Sequence, residues 1–143
     1  MKITVDTNVL ISATFWYGDS HRIMQLVESK IIKLVLSKEI LQEYSEVLRY
    51  DEIQSKIKNK NLYMKYTLQK IVSFSEIVEP KDKVNIIIED PDDNLVLECA
   101  KEGNVDFILS KNRHLLKLKE FEGIKIVTPE EFLGILKTEN KPN

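Results

Sequence analysis

The chain of 143 residues has a single cysteine, so no internal disulfide framework holds it together. Two histidines beside that one cysteine leave too few soft ligands for a structural zinc site. With only four glycines there is no glycine-rich loop to cradle a phosphate, and no serine–histidine or cysteine–histidine arrangement points to a nucleophile. No stretch reaches the ~20 apolar residues a membrane span needs. Asp6 and Asn8 break the N-terminal apolar run, against a signal peptide, so a cytoplasmic location and no membrane partner are expected. Charge of one sign is missing too. A net charge of −2 means that any nucleic-acid surface has to be a local patch.

What is present is an ordinary globular composition with a regular order of elements. "KITV", "KLVLS", "EIVEP", "DFILS" and "IKIVT" read as short β-branched strands, and amphipathic helical stretches separate them. The first helix follows Asp6 to about Tyr17, and "HRIMQLVESK" is the second. "SKEILQEYSEVLR" is a helix with Ser37 as N-cap, and a further helix is expected over about Lys60 to Phe74. "DPDDNLVLECAKEG" is a helix capped by Asp90, with Pro91 first and Gly103 as terminator. "KNRHLLKL" and "PEEFLGIL" follow the last two strands. Alternating strands and helices predict an α/β fold with a central, mostly parallel sheet of about five strands covered on both faces. One domain over residues 1–137 is expected, with 138–143 a frayed tail.

In such sheets ligands bind beyond the carboxyl ends of the strands. Asp6 directly follows the first strand, Asn112 follows "DFIL", and Asp93 lies in the first turn of a helix running back from the same edge. On the helix after "KLVL", the residues Ile40, Leu41, Tyr44, Val47 and Leu48 form an apolar arc of about 120°, and Glu43 lies about 40° outside it. Glu43 is therefore the acid of that helix able to lean over the sheet. Carboxylates brought together repel unless a cation sits among them, and an oxygen-rich site suits magnesium or manganese. Such an ion activates water and neutralises phosphate, the basis of metal-assisted phosphodiester hydrolysis. Each residue also has an ordinary reading: Asp6 as a helix cap, Asp93 as a first-turn acid, Glu43 on a solvated face, Asn112 in a turn, and Asp90 and Asp92 mainly as caps, although either could support the site by touching a second metal.

The segments "VDTNVLIS", "LSKEILQEYSEVL", "DPDDNLVLECA", "DFILSKNRHLL" and "GIKIVTPEEFL" resemble, in order and spacing, the PIN domain, a family of metal-dependent nucleases. The likeness is greatest to toxin components of toxin–antitoxin systems. The resemblance implies a three-layer α/β/α fold, ribonuclease activity with Mg2+ or Mn2+, an RNA substrate, a small antitoxin partner and a possible homodimer. It places Asp6, Glu43 and Asp93 at metal-binding acidic positions, Asn8 as support for the first acid, and Ser110 as the small hydroxyl after the fourth strand. Where the family usually has a fourth Asp this chain has Lys111 and then Asn112. The Asn oxygen can ligate or hold a water but brings no charge, so weaker metal binding is expected, and a module that only binds RNA or a protein is the alternative.

Other residues carry weaker signals. Lys56, Lys58, Lys60, Lys65 and Lys70, with Tyr63 and Tyr66 interleaved, could follow an RNA backbone or could be a solvated helix face. Lys111 and Arg113 add positive charge beside the proposed site, with Lys117 and Lys119 close in sequence. Cys99 reads as core, His21 and His114 as surface or cap residues, and Phe15, Trp16 and Tyr17 as core or partner surface.

Overall fold

The computed structural model describes residues 1–56 and 61–139, without the side chains of 56 and 61–67. The side chains of Lys56, Lys58, Lys60, Lys65, Tyr63 and Tyr66 lie outside the described residues. Among the described residues six strands form one sheet: β1 (Lys2–Val5), β2 (Lys33–Ser37), β3 (Ser75–Val78), β4 (Phe107–Leu109), β5 (Glu120–Phe121) and β6 (Ile124–Val127). Their order across the sheet is β3-β2-β1-β4-β6-β5, all parallel except for β5 against β6. The expected five strands are present. The sixth, β5, is two residues long and too short to show a period-2 pattern.

Among the described residues eight helices flank the sheet, completing three α/β/α layers: α1 (Thr7–Phe15), α2 (Asp19–Glu28), α3 (Lys38–Val47), α4 (Asp51–Lys56), α5 (Asn61–Phe74), α6 (Asn94–Gly103), α7 (Arg113–Leu116) and α8 (Pro129–Glu139). The core runs along the central strands, where Ile3, Val5, Leu34, Leu36, Ile108 and Leu109 are fully buried, with Leu10, Tyr44, Leu97 and Phe132 packed on from the helices. Several boundaries differ from the sequence reading. α1 stops at Phe15 because Trp16 turns extended, and α8 continues through Glu139 into the segment expected to fray. The sixth helix begins as a separate 3-10 turn over Pro91–Asp93. Gly103 is its last helical residue, and Asn104 makes the left-handed stop at φ 51°. A Cβ on Gly103 would stand 2.5 Å from Val35 Cγ1, so this glycine serves close helix–sheet approach.

Between β3 and the 3-10 turn the chain forms an extended strap without ladder partners. Its backbone N–H groups donate instead to side chains of α6: Lys81 to Glu102 (3.0 Å), Val84 to Glu98 (2.9 Å), and Ile86 and Ile87 to Asn94 Oδ1 (3.1 and 2.9 Å). Asn94 returns its amide N–H groups to the carbonyls of Ile87 and Pro91. Acceptors four residues apart on one helix face thus fix the strap's path. The chain arrives at Asp90 already in place.

Candidate functional site

β1 is flanked by β2 on one side and β4 on the other, so the chain reverses direction across the sheet at the β1/β4 pair. The carboxyl ends of these strands form a topological switch point, where the crossover helices leave a crevice. Register sets what meets there. Val5 pairs with Leu109, so the next residues, Asp6 and Ser110, stand side by side at the edge.

Asp6 is buried and does two jobs. Its Oδ1 accepts the Val9 N–H (2.9 Å) as the N-cap of α1, and its Oδ2 accepts a short hydrogen bond from the Ser110 hydroxyl. Burial raises its pKa above the usual carboxylate range, against the opposing pull of Ser110, Val9, the Lys111 backbone N–H and the Lys111 charge. Ser110 Oγ in turn accepts the Asn112 N–H (2.9 Å). Asn112 Nδ2 donates to Asp93 Oδ1 (2.9 Å), while its Oδ1 accepts the His114 N–H (2.8 Å) and caps α7. A carboxylate on one side and an N–H on the other fix the amide's orientation. A chain of hydrogen bonds thus runs from Asp6 through Ser110 and Asn112 to Asp93.

Asp93 ends the 3-10 turn and makes no capping bond to α6, so its side chain is available to the crevice rather than to the helix. Burial and then the Asp90 carboxylate raise its pKa, while His114 and Asn112 lower it. His114 Nδ1 stands 3.4 Å from Asp93 Oδ2, an electrostatic contact longer than a good hydrogen bond. Both atoms are buried without a hydrogen-bond partner among the described residues. Glu43, half-buried on α3, has its pKa raised by burial and by Asp92, Asp90 and Asp93, while a hydrogen bond from Thr7 opposes the rise. Thr7 is thus a residue the sequence reading missed. A hydroxyl one position after Asp6, in the first turn of α1, was the available signal.

Of the other expected residues, Asp90 caps the 3-10 turn by accepting the Asp92 N–H (3.3 Å), and Asp92 is exposed. Asn8 is exposed on α1, and the groups that hold Asp6 are Val9 and Ser110, because a side chain at the second helical position turns outward. Lys111 reaches back to Ser12 Oγ (2.8 Å), and Arg113 is exposed. Lys70, from the basic stretch, pairs with Glu28 at 2.6 Å. Cys99 is buried with its thiol pushed up to about 11, an inert core group. His114 is not merely a surface residue: it is half-buried against Asp93.

Divalent-cation chemistry can be tested on this geometry. The acids offer hard oxygen donors, they raise one another's pKa values, and Asp93 Oδ2 is buried with no hydrogen bond to satisfy it. This donor set fits magnesium or manganese. Among the described residues no three His, Cys, Asp or Glu side chains already close around one point, so the fit is one of chemistry. Nor is any helix among the described residues long and apolar enough to cross a membrane.

A doubly flanked parallel sheet with acids at its switch point defines a class of α/β proteins. Within it this chain belongs to the PIN domain family, whose members are generally nucleases: the family model "PIN domain" matches residues 2–114. The matched span includes Asp6, Glu43, Asp93 and Asn112. Among solved structures it is similar in fold to a chain of VapBC2 from Rickettsia felis, a structure bound to a DNA fragment from their promoter. That likeness has a TM-score of 0.60 at 18% identity and covers 88% of this chain and 97% of the other. No curated protein matches.

Proposed function

We propose that this protein is a magnesium- or manganese-dependent ribonuclease that hydrolyses RNA phosphodiester bonds as the toxin of a toxin–antitoxin pair. The observation that carries the reading is the stitched acid edge. Asp6 is tied to Asp93 through Ser110 and Asn112, and Thr7, next to Asp6, is tied to Glu43. Ordinary helix caps have no need of such links. Asp6, Glu43 and Asp93 would hold the ion, which supplies an activated water and charge neutralisation at the phosphate. Ser110 and Thr7 orient the carboxylates, as outer hydrogen bonds do around metal ligands. Lys111 and Arg113, exposed beside the acids, attract the phosphate backbone. The small antitoxin is the partner this reading implies, and the partnered, DNA-bound state of the similar VapBC2 structure supports it.

The test is cleavage of a mixed single-stranded RNA pool with manganese, with magnesium and with chelator, comparing the parent, Asp6→Asn and Asn112→Asp. Metal-dependent cutting that disappears in Asp6→Asn is expected. A second reading rests on Asn112, whose amide donates to Asp93 where the family usually has a fourth carboxylate. On that reading the chain binds RNA or a protein without cutting. Silence of the parent and of Asp6→Asn with activity in Asn112→Asp identifies it.

A further inference from the structure

α1 buries Thr7, Val9, Leu10, Ile11, Ala13 and Thr14 and leaves Asn8, Ser12 and Phe15 at least partly open. These positions, i, i+4 and i+7, form one stripe that starts beside Asp6 and runs about 10 Å along the helix, and the extended Trp16 follows at its end. Its near end is polar and its far end aromatic. Trp16 is 47% exposed and Tyr17, just past the helix, is 94% exposed. The His21 ring meets Tyr17 edge-to-face at 5.0 Å and is itself tied to the Ala13 carbonyl, so the tyrosine is propped from one side. Between the acids and these rings stands Lys111, bonded to Ser12 and near enough to Asp6 to lower its pKa. Among the described residues neither Lys111 nor Arg113 has a carboxylate partner.

We infer that this stripe is a track for single-stranded RNA, with Lys111 on a phosphate and Trp16 and Tyr17 stacking unpaired bases a few nucleotides from the acids. The inference rests on the nuclease reading and names how the substrate is held. Hydrogen-bonding side chains and a cation without a salt bridge among the described residues suit sugar and phosphate, and exposed rings suit bases, whereas duplex bases stay stacked on one another. A docking patch for an apolar protein segment would extend the aromatic end with aliphatic neighbours; here the rest of the stripe is Asn8 and Ser12. The sequence reading assigned Phe15, Trp16 and Tyr17 to core or partner surface. The early end of α1 is what turns the last two outward.

Trp16 is the chain's one tryptophan, so its fluorescence reports on the track. A mixed-sequence single-stranded RNA added in chelator, where nothing is cut, is expected to quench its emission, and the same sequence as a duplex is not. Tyr17→Ala should weaken single-strand binding about tenfold, the scale of one stacked base. Lys111→Gln should lower the slope of log affinity against log salt by about 0.7, one phosphate on a single strand. Labelled RNA followed by anisotropy supplies an independent binding signal. Binding without quenching, equal quenching by the duplex, or no binding at all overturns the track; the first is also the result for a surface built to take a protein. Quenching by a protein that cuts nothing with manganese leaves the track standing and removes the nuclease reading. Cutting without quenching does the reverse.

Discussion

The two edges of the sheet use the same residue types in opposite ways. At the amino edge Lys2 and Lys33 begin neighbouring strands in register, and Glu76 of β3 reaches both, at 3.6 and 3.8 Å. Asp106, just before β4, accepts the Lys2 N–H at 2.9 Å. There Glu76 has two cations within ion-pair reach and Asp106 has an N–H donor. At the carboxyl edge Asp6, Glu43, Asp90, Asp92 and Asp93 have no lysine or arginine salt bridge among the described residues, and burial together with one another's charge raises Glu43 and Asp93. With 21 basic residues in the chain, partners were not scarce. The acids that raise one another's pKa values lie at the edge where a parallel sheet binds ligands, and there they stand ready for a cation.

Substitutions can break that contrast. The largest effect is expected for Asp93→Asn. Metal-dependent RNA cleavage should fall by more than about a hundredfold, the upper range for outer-shell changes, while the metal-free protein melts no lower than the parent. Cleavage rates and thermal melts read both halves, and retained activity would move the working site away from this edge. Asn112→Asp comes next. It replaces a donor to Asp93 with a like charge, so in chelator it should cost about 1–3 kcal/mol in urea denaturation, regained on adding manganese.

The pH response sharpens the contrast further. Asp6, Glu43 and Asp93 all have folded pKa values above their ordinary ones, so the native state holds more protons than the unfolded chain. Their contribution to stability is therefore greatest below about pH 4 and is lost as pH rises through the raised values. Denaturation in chelator across that range should show the decline, and Asp93→Asn should flatten it. The smallest effect belongs to the other edge. Glu76 is about a third exposed, and Glu76→Gln should cost no more than about 1 kcal/mol with cleavage unchanged.

Much of this architecture was legible in the sequence because its signals are local. The five longer strands show β-branched runs, Ser37 and Asp90 cap as expected, and the angular position of Glu43 on α3 anticipated an acid leaning over the sheet. What was not legible depends on distant partners. Gly103 reads as a helix stop in isolation, yet Val35 on β2 is what requires it. Asp93 reads as a first-turn acid, but a 3-10 turn replaces the first α turn and frees its carboxylate. Asn112 reads as a weakened ligand, whereas its amide, oriented by Asp93 and His114, is a hydrogen-bond bridge across the edge. The strap gave no periodic signal because its N–H groups are satisfied by side chains of α6 instead of a neighbouring strand.

That strap has a consequence for how the protein can diverge. α6 holds the strap by hydrogen bonds to its main chain, with Lys101 adding a pair to the Asp82 carboxylate at 3.5 Å, and the side chains at positions 81, 84 and 86 take no part in these bonds. Ile87 is fixed from within by burial, and Val84 is partly buried against the core. Ile86 and Ile88, 50% and 81% exposed, stand on the approach to Asp90. The rim of the crevice can therefore be rewritten residue by residue while its backbone stays seated, which lets the surface met by an incoming molecule drift without disturbing the acids behind it.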